Sequence, residues 1–327
     1  MLKQKKKICL LLAGGTWTVD KSKNILAVNS ADDLDNWLAT MPELGILSDL
    51  DIHFLADEEV QVGVDLWTKI AKFLINKQNE FDGFVLVTKV ETLVMSAVAL
   101  NFLLQHFPKT LVLTASQMSG LYTKEKKERM QELISAQGGL GLRSNLINAV
   151  QAAGESLPSV AVMFGSRLVA SVKARLEYQQ GKYILLSVDD DYLAKIDFGI
   201  SFKNNLNYPK VAAKEFSKLS QEVCILSELF SVQYLWPKEA FSAYKAILVF
   251  LSNEELGAEQ KKYLVSLNKP IIIYHPHSLQ QEKDFISLNS CTPETAVAKV
   301  LWLVENVEVQ DWSKVIQSNI IDEFVKF

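Results

Sequence analysis

Apolar residues fall in short unbroken runs separated by segments of helical period, which predicts a mostly parallel sheet with helices on both faces. Ile8-Cys9-Leu10-Leu11-Leu12 reads as a strand buried on both sides, and Ile52-His53-Phe54-Leu55 as a second. Between them residues 31–40 have helical spacing, with Ser30 or Asp32 as N-cap. Phe84-Val85-Leu86-Val87 and Thr110-Leu111-Val112-Leu113-Thr114 predict two more strands, joined by a helix over 96–107 that Pro108 stops. A short helix over 145–153 follows, and 159–164 with 168–176 reads as a β-hairpin.

The pattern then lapses. Residues 204–218 are polar, contain Pro209 and lack strong periodicity, as expected of a linker. Beyond it, three strand-like runs at 223–226, 246–250 and 271–274 alternate with helical stretches. Thr292 is placed to cap a helix over 292–304, with Pro293 at its first position, where a missing N–H costs nothing. The expected organisation is an N-terminal α/β domain over 1–203, a linker over 204–219 and a smaller C-terminal α/β domain over 220–327. A chain of 327 residues suits two such cores.

Composition narrows the partners. About half the residues are apolar and the net charge is -4, so nothing electrostatic calls for a nucleic acid. No stretch of roughly 20 apolar residues occurs, which predicts no helical membrane span. Lys3, Lys5, Lys6 and Lys7 ahead of residues 8–13 outline a signal peptide, but the run leads directly into Gly14-Gly15 without a cleavage pattern and reads as a first strand. Cys9, Cys224 and Cys291 are odd in number and widely spaced, so neither a disulfide framework nor a thiolate metal site is expected, and a reducing cytoplasm fits.

Several weaker signals resolve to ordinary roles. Lys124-Glu125-Lys126-Lys127-Glu128-Arg129 mixes signs like a solvated helix face. Gly138-Gly139-Leu140-Gly141 lacks the strand and the spacing of a dinucleotide loop. His275-Pro276-His277 has no third ligand at metal spacing, so no metal is expected. His53 and His106 read as an edge-strand and a helix-end histidine. No GxSxG, HExxH or P-loop occurs, and no cofactor is implied.

The chemistry is carried by Ala13-Gly14-Gly15-Thr16 and by Asp82-Gly83-Phe84-Val85-Leu86-Val87-Thr88-Lys89-Val90-Glu91-Thr92. In order along the chain they are joined by Leu38-Ala39-Thr40-Met41-Pro42-Glu43-Leu44, by Asp57 with Trp67, by Leu113-Thr114-Ala115-Ser116-Gln117, by Arg143-Ser144-Asn145-Leu146-Ile147-Asn148-Ala149, by Thr292-Pro293-Glu294-Thr295-Ala296 and by residues 313–324. This series resembles the asparaginase family, and most closely its cytoplasmic branch. The resemblance implies a flavodoxin-like N-terminal domain with a mostly parallel sheet, a smaller α/β C-terminal domain whose last helices include 313–324, and homodimers or tetramers. It also implies active sites at the C-terminal ends of the first domain's strands.

That family uses two hydroxyls near the substrate amide, one of them activated by a lysine and an aspartate. By the resemblance Thr16 stands at the first nucleophile. Val90 stands where the second threonine belongs, Glu91 replaces the aspartate, Lys89 replaces a glycine, and Leu176 falls on the catalytic lysine. Lys173 and Arg175 are near in sequence, but on a strand they face away from that position. The loop tyrosine of the family is missing between Trp17 and Trp37. On the substrate side stand Asp57, Glu58 in place of a carboxylate-binding serine, and Ala115. Asp57, Glu58, Glu59 and Glu91 either form an acidic pocket, or Glu58 and Glu59 face solvent. The resemblance thus implies a non-catalytic or very weakly active homologue binding a small ligand; the alternative is an amidohydrolase acting through Thr16, with Lys89 as replacement base.

Overall fold

Seven residues in sequence, only the first of them exposed, make Lys7–Ala13 the spine of the N-terminal sheet (β1). The computed structural model describes residues 5–13, 16–19, 25–28, 33, 38–39, 41–56, 60–117, 142–157, 160–196, 199–203, 216–227, 236–253, 255–277 and 284–325, with backbone alone in 16–19 and 25–28. It divides into two compact units, Met1–Phe216 and Ser217–Phe327. Of the expected linker, residues 204–215 lie outside the described residues, as do most of the helix expected at 31–40, the charged run at 124–129 and the glycines at 138–141.

After β1 the chain forms a hairpin, β2 (Thr16–Val19) with β3 (Ile25–Val28), paired Thr16 to Val28. A five-residue helix α1 (Glu43–Leu47) leads into β4 (Asp49–Ala56). Helix α2 (Val64–Lys77), β5 (Gly83–Val87), helix α3 (Leu93–Leu104), β6 (Thr110–Thr114), helix α4 (Leu142–Ala153) and β7 (Val160–Phe164) continue the alternation. The strands that follow β7 run antiparallel to their neighbours: β8 (Arg167–Ala170), β9 (Ala174–Gln179) with β10 (Lys182–Ser187), β11 (Ala194–Ile196) and β12 (Ile200–Phe202). The eight-stranded sheet has the order β12-β11-β8-β7-β6-β5-β1-β4, while β9 and β10 form a separate ribbon.

Within this sheet the parallel strands run β4-β1-β5-β6-β7, the 2-1-3-4-5 order of flavodoxin-like folds. All five residues in each of β5, β6 and β7 are buried. The expectation that residues 52–55 are buried on both sides is corrected: β4 is an edge strand whose residues are half-buried at best, because only β1 pairs with it. His53 therefore does sit on an edge strand. Helix α3 is buried along nearly its whole circumference, which erases helical periodicity. It runs from Leu93, behind a 3₁₀ turn Val90–Thr92, to Leu104 rather than over 96–107. His106 just beyond takes φ 61°, a left-handed turn that ends the helix before Pro108 is reached.

The predicted second hairpin strand over 168–176 is interrupted. A 3₁₀ turn at Ser171–Lys173 separates β8 from β9, so that β9 leaves the main sheet and pairs with β10 instead. The turn joining β7 to β8 uses Gly165 at φ 61°, where a side chain would strain the backbone.

The second unit is a four-stranded parallel sheet, β13 (Val223–Ser227), β14 (Ala246–Phe250), β15 (Ile271–Tyr274) and β16 (Ile286–Leu288), ordered as numbered. Helices α5 (Ala258–Val265) and α6 (Pro293–Asn306) belong to it. Ile247, Val249, Leu264, Ile271 and Ile273 share its core. The Thr292 hydroxyl accepts from Thr295 N–H and Pro293 opens α6, as the sequence implies. Of the family-like segment 313–324 only the end of a four-residue helix α7 (Trp312–Val315) is helical; the rest is irregular. Among the described residues no helix is long and apolar enough to cross a membrane.

Candidate active-site crevice

In an open parallel sheet a crevice forms outside the carboxyl ends of the strands where the strand order reverses, which here lies between β1 and β5. The exits at that edge are Ala13 of β1, Ala56 of β4, Val87 of β5 and Thr114 of β6. Val87 pairs with both Leu12 and Thr114, so the segments after β1, β5 and β6 start side by side.

The segment after β5 is tightly held. Thr88 N–H donates to the Thr114 carbonyl (3.1 Å), and the Thr92 hydroxyl donates to the Lys89 carbonyl (3.4 Å). The Lys89 ammonium donates to the Val60 carbonyl (3.1 Å), bridging this segment to the one after β4. Val90 is 0% exposed and Glu91 is exposed at the head of the 3₁₀ turn. The valine methyls thus belong to the core, and the carboxylate stands at the surface.

Behind the exit of β6 one side chain braces three elements. Asn145 lies in the first turn of α4, where its amide nitrogen donates to the Ala115 carbonyl (2.8 Å) and its amide oxygen accepts from Gly165 N–H (2.9 Å). Both Asn145 and Ala115 are buried, so these bonds satisfy backbone groups that water does not reach. Two residues on from Ala115, the Gln117 amide copies a peptide unit: it donates to the Tyr183 carbonyl (2.9 Å) and accepts from Tyr183 N–H (2.8 Å). The sequence flags both residues only as letters within family-like motifs; their bracing roles depend on partners far away along the chain.

The expected site residues are thus partly assembled. Lys89, Glu91 and Ala115 sit on the segments that leave β5 and β6. For Thr16 the backbone is described, at the head of β2. Asp57 and Glu58, with Glu59, lie outside the described residues. Leu176 is half-buried in β9 opposite Leu185. The nearest cations are engaged: Arg175 pairs with Glu177 (3.1 Å), and the Lys173 ammonium donates to Asp189 (2.6 Å) and Asp191 (3.0 Å). Among the described residues no group of three His, Cys, Asp or Glu side chains is arranged to hold a metal.

The Lys173 network also sets a pH response. Burial pulls the Lys173 pKa down, but the two carboxylates override it and leave it above the ordinary lysine value. For Asp191 the Lys203 ammonium (2.5 Å) is the main cause of a lowered pKa; for Asp189 partial burial opposes, and Lys173 with the Ser187 hydroxyl wins. Lowered carboxyl values stabilise the fold above about pH 4, and that contribution is lost as pH falls further; the raised lysine value stabilises it below about pH 10.4 and is lost as pH rises beyond. The urea-midpoint difference between wild type and Lys173→Met should therefore be flat from about pH 5 to 9 and shrink at both extremes. A difference that keeps growing into acid would refute the assignment.

Comparison with known proteins agrees with this architecture. The family description "Asparaginase, N-terminal" matches residues 7–208. L-asparaginase 1 of Escherichia coli strain K12 is 31% identical over 120 residues, a stretch covering 35% of this chain and 35% of that protein. The same figures hold for L-asparaginase 1 of Escherichia coli O157:H7. The chain therefore aligns with only about a third of the length of these curated relatives. The crystal structure of L-asparaginase I from Vibrio cholerae O1 biovar eltor matches with a TM-score of 0.75 at 18% identity, covering 98% of this chain and 100% of that one, a likeness of fold. The family match over more than half the chain and the shared fold lead to one conclusion: this chain belongs to the asparaginase family.

Proposed function

We propose that this family member keeps the crevice at the carboxyl ends of β1, β5 and β6 as a site for a small cationic or neutral ligand, an amine or a neutral amide, and that its amide hydrolysis is reduced to a trace. One observation carries the reading: Val90, which the resemblance aligns with the second hydroxyl, is a hydrocarbon side chain turned wholly into the core. A nucleophile or relay at this point needs an O–H that a base can reach. Lys89 beside it has its ammonium on the Val60 carbonyl, which supports a role in holding the loop after β4 in place.

Charge supports the ligand class. Glu58 replaces the serine that the resemblance assigns to a substrate carboxylate, next to Asp57 and Glu59. Two like charges ~4 Å apart repel by ~4 kcal/mol at an effective dielectric near 20, equivalent to roughly three decades in affinity. Isothermal titration should show aspartate binding far more weakly than a matched amine without the carboxylate. Glu58→Ser should raise aspartate affinity by at least about one decade. Tight aspartate binding in the wild type, lost in Thr16→Ala, would end this reading. A Glu58→Ser protein with unchanged affinity would place that carboxylate in solvent.

A further inference from the structure

The second unit contains an ion pair with no contact to water. Lys299, in the middle of α6, and Glu323 are both 0% exposed, and their charged groups lie 2.7 Å apart. The Lys299 ammonium also donates to the Ser318 carbonyl (2.7 Å) and stands 4.5 Å from the centre of the Phe324 ring. The second Glu323 oxygen accepts from Ile320 N–H (2.8 Å) and Ile321 N–H (2.7 Å). Among the described residues, every hydrogen-bond and ring partner of this pair except Lys299 itself belongs to residues 318–324. The charge pair therefore docks one segment onto one helix.

That segment is irregular. From 317 to 325 it forms neither helix nor strand, and only Glu323 and Val325 are buried. Gln317 donates to the Ser287 carbonyl (2.5 Å) and Val325 N–H to the Ser290 carbonyl (2.8 Å). Next to Ser290 is Cys291, fully buried, its carbonyl taking the Tyr274 hydroxyl (2.6 Å) and its thiol close enough to feel both Lys299 and Glu323. Burial drives the Cys291 pKa up to about 12. For Lys299 burial outweighs the carboxylate and lowers its pKa.

We propose that residues 317–325 are a charge-locked strap that opens as a unit, without unfolding of the β13–β16 sheet, and that its opening uncovers Lys299 and Cys291. The physical basis is a balance. Closed, the strap gains one strong ion pair with its hydrogen bonds and bears the desolvation of two charges; open, both charges regain water, while Val325 and the half-buried Ile320, Ile321 and Phe324 lose their cover. Such an element opens without the rest of its unit. A sheet strand such as β14, buried at Ala246, Ile247, Leu248 and Val249, does not.

Full-length protein tests this by hydrogen exchange and by N-ethylmaleimide labelling read at each cysteine peptide. In the wild type the amides of Ile320, Ile321 and Val325 should exchange faster than those of β14, and Cys291 should label at a rate set by the same opening. Glu323→Gln leaves Lys299 without its counter-charge and should speed Cys291 labelling by about 100-fold or more, with Cys9 in the other unit unchanged. Lys299→Met combined with Glu323→Gln removes the stranded charge and should bring the rate back to within about tenfold of wild type. Strap amides that exchange as slowly as β14 would overturn the proposal, since the segment would then open only with the whole unit. So would Cys291 labelling indifferent to Glu323→Gln, or a double variant labelling as fast as the single one.

Discussion

Ammonia release from asparagine should run at least about three decades below that of an intact family member. Val90 brings no hydroxyl to the 3₁₀ turn after β5 and is fully buried there. Leu176, which the resemblance aligns with the family's lysine base, pairs with Leu185 in a ribbon outside the main sheet. Lys173, the lysine nearest in sequence, is engaged by Asp189 and Asp191. General acid–base catalysis contributes ~10²–10⁴ in rate, and removing one member of a catalytic unit forfeits most of what the unit supplies. A panel of asparagine, glutamine and peptide-linked amides, assayed for ammonia with Thr16→Ala as blank, gives the measurement. A normal turnover number abolished in that variant would refute the prediction and would point to Lys89 or a second chain as base.

Gly83→Ala should cost more than about 3 kcal/mol of stability, or prevent folding. A β-carbon on Gly83 would lie 1.9 Å from the carbonyl oxygen and 2.7 Å from the carbonyl carbon of Ala153, the last residue of α4. Those atoms are backbone, so no rotamer change relieves the clash; either α4 or β5 must shift, and both are buried. Ordinary overpacking costs ~1–3 kcal/mol, and a rigid contact of this kind exceeds it. Gly45→Ala is the matched control, because nothing lies within 4 Å of its β-carbon and alanine favours the helix that contains it. Equal urea midpoints for the two variants would show that α4 can move away from the sheet.

The contrast between these glycines marks how far the sequence reaches. Residues 8–12, 84–87 and 110–114 announce themselves as strands because a run buried on both faces leaves no alternative assignment. The family-like motifs then give the strand order and the edge at which the site lies. Other features depend on pairing that no local window contains. Burial of β4 is decided by its edge position, which turns Ile52 and Phe54 into half-buried residues. Residues 171–173 look like more of one strand, and the bonds that accompany the break are long-range ones, from Asn101 to the Ser171 hydroxyl oxygen (3.0 Å) and from Lys173 to Asp189 and Asp191. Strand β16 is three residues long, too short for a pattern. Asn145 is legible as a motif letter, yet its function as a brace rests on Ala115 and Gly165, which the fold alone brings to it.

The Gln117 clamp gives the β9–β10 ribbon an unusual mechanical status. A two-stranded ribbon has little stability of its own in water, and among the described residues this one is joined to the segment after β6 by the Gln117 side chain, which occupies both backbone groups of Tyr183. Tyr178 lies directly across the ribbon from Tyr183, and their rings meet edge to face at 5.0 Å. The clamp therefore anchors the strand position that presents the exposed Tyr178 ring.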